Sequence, residues 1–201
     1  MKRLLIGPLA LLLVSCVSIN TSIQIANDGS GQISLQYTVS QMVSELGLVD
    51  KDWQRLPLPI TESDFRRTVG QIPGLTLDSF KRTEDAKNIT ITAKLSFTTV
   101  AALNKLYSPG GTGITLTSQN NGVQYRQVLF EGFPDGADQQ SKEFANTFFK
   151  DYNLKFKLEA PRPIISANIG TISADKRSVQ YEISIPALLD VRTPLVWNVS
   201  W

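Results

Sequence analysis

Cys16 is the only cysteine in the 201-residue chain, and it stands where a thiol becomes an anchor. It ends the run Leu13-Val14-Ser15-Cys16: two apolar residues, a small one, then the thiol. Upstream, Lys2 and Arg3 give a positive start, and residues 4–14 form an almost unbroken apolar run that includes Pro8. This is the pattern of a bacterial lipoprotein signal peptide with its lipobox. The bland alternative is an ordinary cleaved signal with a chance cysteine. The run is shorter than the roughly 20 residues that span a bilayer. Residues 1–15 are therefore expected to be removed. Residues 16–201 are expected to form a single envelope domain, held to a membrane by lipid on Cys16, a diacylglyceryl thioether with acyl chains of the palmitate kind. Each buried methylene is worth about 0.8 kcal/mol, and two chains suffice for stable anchoring.

Other candidate chemistry is thin. With Cys16 acylated no thiol remains, and the chain has no histidine. The commonest general base and metal ligand are thus missing, along with the usual ligands of zinc, haem and iron–sulfur sites. No metal and no cofactor are expected. Ser173-Ala174-Asp175-Lys176 matches Ser-x-x-Lys, but it falls in a predicted turn and lacks its partner motifs. Asp135 and Asp138 flank Gly136 and read better as a turn residue and a helix cap than as paired catalytic carboxylates. No catalytic set is arranged, so an enzyme is not expected.

The remaining candidate is apolar. Phe144, Phe148 and Tyr152 recur at i, i+4 and i+8, with Ala145 and Phe149 beside them, on a predicted helix over residues 138–152. The stripe is either one wall of an apolar pocket for an acyl chain or ordinary core packing against a sheet. Trp53, beside Leu56-Pro57-Leu58-Pro59-Ile60, is either a loop dipping into a membrane interface or one folded onto the body.

Around these residues the chain is mostly hairpins. Val17, Ile19, Thr21, Ile23 and Ile25 alternate, Asn27-Asp28-Gly29-Ser30-Gly31 turns, and Ile33, Leu35, Tyr37 and Val39 alternate back. The lipid would be attached directly to the first strand, keeping the body near the membrane. Residues 41–48 suggest a short helical turn. Thr61-Glu62-Ser63-Asp64 is a helix start, and Pro73-Gly74 ends that helix. Residues 75–82 and 88–97 make a second hairpin, residues 99–106 a helix, and residues 114–117 and 123–130 a third hairpin. A strand over residues 154–158 is interrupted by Pro161 and Pro163 and resumes over residues 164–167. Strands over residues 179–185 and 195–201 follow. The fold class expected is α+β: a mainly antiparallel sheet built from hairpins, with two to four helices packed on it. The alternating Leu195, Trp197, Val199 and Trp201 also resemble the terminal strand of an outer-membrane barrel, but helices and a lipobox argue for a buried last strand.

Charge narrows the partners. The chain has 20 basic and 18 acidic residues, and removing Lys2 and Arg3 leaves 18 against 18. A neutral mature chain with no basic block argues against nucleic acid. Val17 is not the aspartate that marks inner-membrane retention, so an outer-membrane location is expected if the host is Gram-negative.

The late segment Leu158-Glu159-Ala160-Pro161-Arg162-Pro163-Ile164-Ile165, followed by Ala167-Asn168-Ile169-Gly170, Tyr181-Glu182-Ile183-Ser184-Ile185 and Trp197, resembles the LppM-like family of bacterial lipoproteins. Here Ile169 splits the Asn-Gly turn, and the C-terminal membrane helix of some members is not seen. The resemblance implies an envelope-facing α+β domain in contact with lipid or glycolipid, with no catalytic residues to carry over. The functional expectation is a membrane-anchored envelope lipoprotein whose domain binds a lipid or glycolipid. The alternative is a structural or assembly lipoprotein acting through envelope protein partners, by a sheet edge or its terminal strand.

Overall fold

Alternation and turn chemistry build the first hairpin. In a computed structural model, which describes residues 17–40, 61–108, 113–119 and 122–201, β1 (Val17–Ile25) and β2 (Gly31–Ser40) pair antiparallel from Val17–Val39 to Ile25–Gly31. Gly29 takes φ +81° in the turn, and Asp28 Oδ1 accepts the Ser30 N–H at 3.0 Å. Residues 41–48 and the Trp53 loop lie outside the described residues.

Helix α1 (Glu62–Gly70) starts where its capping signal stands: the Thr61 side chain accepts the Asp64 N–H at 3.2 Å. It buries Phe65 and Val69 and leaves the Glu62–Arg66 pair in solvent. Strands β3 (Leu75–Glu84) and β4 (Asn88–Phe97) form the second hairpin, and β4 also pairs with β2. Helix α2 (Val100–Tyr107) is capped by Thr99 and leads into β5 (Ile114–Gln119) and β6 (Gly122–Phe130). Helix α3 (Gln139–Phe148) is capped by Asp138. Then come β7 (Asn153–Glu159), the short β8 (Ser166–Ala167) and β9 (Thr171–Ile172), and β10 (Ser178–Ser184). The one-turn helix α4 (Ile185–Leu188) and β11 (Leu195–Ser200) close the chain.

The α+β expectation, mainly antiparallel with two to four helices, holds, with four helices among the described residues, but the strands divide between two sheets. One has seven strands in the order β3-β4-β2-β1-β7-β10-β9; the other has four, β5-β6-β11-β8. Among the described strands only β1 and β7 run parallel, with Ile19 opposite Leu154 and Gln24 opposite Glu159. One hydrophobic core cluster draws on both sheets and on the helices: Ile33, Ile91 and Leu158 from the first sheet, Tyr125, Trp197 and Val199 from the second.

Three boundaries differ from expectation. Helix α3 ends at Phe148 rather than 152, because Phe149 leaves helical geometry (φ −127°, ψ 16°) while its ring enters the core. Residues 164–167 do not resume β7. After Pro161 and Pro163 the chain changes sheet, and β8 pairs with β11. Ile185 continues the alternation of β10 in sequence, but Ser184 caps a helical turn there with Pro186 in its first positions.

Candidate functional site

The strands of the larger sheet send apolar residues to one face and small polar residues to the other. In β1, Thr21, Ile23 and Ile25 are buried, while Asn20, Ser22 and Gln24 face away from the core. Register then aligns the polar positions across strands. Thr92, Gln36, Asn20, Lys155 and Glu182 form one row across β4, β2, β1, β7 and β10. Ser34, Ser22, Lys157, Gln180 and Thr171 form the next. Together they line an open trough of about 850 Å³, to which Leu35, Phe156 and Tyr181 also contribute.

The trough mixes uncharged polar side chains with apolar surface from Leu35, Phe156 and Tyr181, and it carries no large charge. Lys155 Nζ lies 3.3 Å from Glu182 and Lys157 Nζ lies 2.6 Å from Glu159, both in partly exposed pairs. Such pairs contribute little to stability, and their groups remain able to meet a ligand. Hydroxyl and amide side chains both donate and accept. Such a lining can therefore hydrogen-bond a polyhydroxylated molecule. Gly170, at φ +91°, lies on the rim of the trough, where an added Cβ would run into the Gln180 carbonyl.

The residues singled out in the sequence lie elsewhere. Cys16 is outside the described residues, and of Phe148 only the backbone is described. Phe144, Phe149 and Tyr152 do come together: the Phe149 ring centroid is 5.6 Å from that of Phe144 and 5.6 Å from that of Tyr152. Phe149 is buried, Tyr152 half-buried and Phe144 38% exposed. The cluster is joined across the turn after α3, not along a continuing helix.

Ser173 is taken up by its turn. Its hydroxyl donates to Asp175 Oδ1 at 2.5 Å and accepts the Ser178 N–H at 3.0 Å, and Lys176 adopts φ +58°. Asp138 is a helix cap: its Oδ1 accepts the Ser141 N–H at 2.8 Å and its Oδ2 the Ser141 hydroxyl at 2.6 Å. Among the described residues no cluster of three or more carboxylates, thiols or imidazoles could hold a metal ion.

The Ser141 hydroxyl, then the Ser141 N–H, hold the Asp138 carboxyl below its ordinary value. Asp28 and Asp175 are lowered in the same way by Ser30 and Ser173. A carboxyl lowered on folding contributes stability that is present above its unfolded value, about 4, and is lost as pH falls through the folded value. The melting temperature is therefore expected to drop below about pH 4. Asp138→Asn keeps the cap without titrating; a pH series of melting curves should show a shallower acid fall for the variant.

Between the sheets lies a small polar group of a different kind. The Tyr125 hydroxyl donates to Gln127 Oε1 at 2.7 Å, and the Tyr107 hydroxyl lies against Thr21 of β1. Burial pushes the Tyr125 phenol well above its ordinary range; desolvation of its own hydroxyl raises Tyr107 too, although that residue as a whole is 36% exposed. Among the described residues, the buried hydroxyl of Tyr37, a residue only 2% exposed, meets no hydrogen-bond partner.

The folded domain of LppM from Mycobacterium tuberculosis, determined by NMR, is similar to this chain at 14% identity. The match covers 92% of this chain and 88% of that one, with a TM-score of 0.47. No protein-family model and no curated protein sequence matches the chain.

The trough was hidden in the sequence because Asn20, Ser22, Ser34 and Gln36 look like ordinary solvent-side positions of alternating strands. Only the register, which runs from residue 20 to residue 182, places them on one floor.

Proposed function

We propose that this chain is an envelope lipoprotein, anchored through Cys16, whose larger sheet binds the polar headgroup of a glycolipid. The single observation that carries this reading is the trough of hydroxyl, amide and lysine side chains on the open face of that sheet. Its position supports the glycolipid. Asn20 lies three residues from Val17, or about 10 Å along a strand. The headgroup layer of one leaflet is about 5–7 Å deep. A domain tethered at residue 16 therefore holds the trough just above that layer, where sugars of a membrane glycolipid stand.

The test is the melting temperature of residues 17–201 scanned against glycolipids and phospholipids. A ligand at about 100 times its dissociation constant adds about 2.7 kcal/mol, which shifts the transition of a domain this size by roughly 5–10 °C. Gln36→Ala and Lys155→Ala, both at exposed positions, should abolish the shift while leaving the ligand-free transition within about 0.5 kcal/mol of the parent. A shift that is the same for every lipid, or that survives both substitutions, counts against the trough.

A second reading rests on β5. That edge strand, Ile114-Thr115-Leu116-Thr117-Ser118-Gln119, carries no charge, whereas β3, an edge of the seven-stranded sheet, has a bulge at Asp78 and bears Lys81, Arg82 and Glu84. Uncharged edges accept a partner's strand. Strand β11, the other candidate, already lies between β6 and β8. A flat lipid panel with capture of an envelope protein would favour this assembly role.

A further inference from the structure

We infer that the end of the domain bearing Phe144, Phe149 and Tyr152 rests on the bilayer surface, so that the anchored domain stands in one fixed orientation. This rests on the proposed lipidation of Cys16.

The parallel pairing of β1 with β7 carries the inference. Ile19 stands opposite Leu154. Two residues before each are Val17, where β1 begins, and Tyr152, where the chain leaves the α3 turn. Neighbouring strands lie about 4.8 Å apart, so the start of β1 and the aromatic turn stand side by side. Cys16 precedes Val17 by a single peptide bond, a step of about 3.8 Å between α-carbons. A lipid on Cys16 thus pulls this end of the sheet, and no other, down to the membrane.

What the membrane meets there suits an interface. The exposed Phe144 ring lies against Phe149, which Tyr152 in turn contacts. Thr147 is exposed one turn along α3, on the same side as Phe144. Aromatic rings prefer the boundary between headgroups and hydrocarbon. The flanking charges are mixed: Lys142 is paired with Asp190 at 2.5 Å, and Lys150 is followed by Asp151. Docking should therefore depend on apolar contact and not on anionic lipid.

The molecule supplies its own control. Ile165 is more exposed, at 69%, but it follows the far end of β7: the Ile164 N–H bonds the Lys176 carbonyl beside the start of β10. Seven residues of β7 separate the two ends, about 20 Å or more.

The experiment uses the full lipidated chain in phosphatidylcholine vesicles. Because an acylated Cys16 leaves no thiol, Phe144→Cys, Thr147→Cys and Ile165→Cys each carry one labelling site. An environment-sensitive fluorophore is quenched by lipids bearing nitroxides near the headgroups. The expected result is several-fold stronger quenching at positions 144 and 147 than at 165, unchanged in high salt. Equal quenching at all three, or stronger quenching at 165, overturns the orientation. Intact mass reports the anchor separately. Lipid mass with equal quenching sinks the orientation alone, whereas an unmodified Cys16 sinks the anchor and the orientation with it. Thr147→Cys covers the case in which Phe144→Cys disturbs the cluster, and matched melting curves certify each variant.

Discussion

Gly31→Ala is expected to cost about 3 kcal/mol or more, at the upper end of over-packing penalties or beyond them. The reason is contact and not torsion, since Gly31 lies in β2 and needs no left-handed backbone. A Cβ there would run into the carbonyl oxygen of Gln24 and stand 2.6 Å from Phe97 Cζ. The first is backbone of the neighbouring strand, and the second is a buried ring of β4. Neither can swing aside without opening the β1–β2 or β2–β4 pairing. At roughly 2–4 °C per kcal/mol for a domain of this size, the melting temperature should fall by about 6–12 °C or more. Gly70→Ala is the matched control. It stands at the last position of α1, with nothing within 4 Å of its added carbon. There alanine's better helix propensity should leave stability unchanged or raise it by up to about 1 kcal/mol. Paired urea or thermal melts decide the matter. A Gly31→Ala protein as stable as the parent would mean that the close approach of the three strands is wrong.

Trp197→Ala is the second large effect. The side chain is 1% exposed in the middle of β11. Its ring meets Tyr125 edge-on at 6.4 Å between centroids. Its Nε1–H donates to the Ile169 carbonyl at 3.1 Å. Truncating a buried tryptophan removes about 3–5 kcal/mol, a large part of the 5–15 kcal/mol that holds a typical domain together. Trp197→Phe should recover much of the packing but leave the Ile169 carbonyl short of a donor, an extra cost of about 1 kcal/mol. The order parent, Trp197→Phe, Trp197→Ala in urea midpoints is the expected outcome. Equal midpoints for Phe and Ala would assign the effect to the hydrogen bond alone.

Local pattern carried most of the elements. Alternation with Asn-Asp-Gly chemistry marked β1 and β2, Thr61 and Asp138 marked two helix starts, and Pro73-Gly74 marked a helix end. The division into two sheets was not legible, because it depends on partners far apart in the chain. Strand β11 finds β6 about 70 positions back, and β1 finds β7 more than 130 positions on. Helix α3 was overdrawn because Phe144, Phe148 and Tyr152 keep helical spacing beyond the point where Phe149 breaks it. Ser184-Ile185-Pro186 held a readable stop for β10, a capping serine with proline in the first turn, but the alternation through Ile185 masked it. The trough needed register as well as pattern, and a single sequence gives only the pattern.

The place of β1 has a consequence for how the protein is made. Strand β1, the first of the described strands, lies at the centre of the seven-stranded sheet, between β2 and β7. A chain synthesised from its N-terminus can complete the pairing of β1, β2, β3 and β4 from neighbours in sequence. One side of β1 then stays open until residues 153–159 arrive, and the second sheet stays incomplete until β11 follows β6 by about 65 residues. Pairing across such separations is slow, and an open strand edge invites the wrong partner in the meantime. The half-made chain is therefore the species most in need of a holding chaperone.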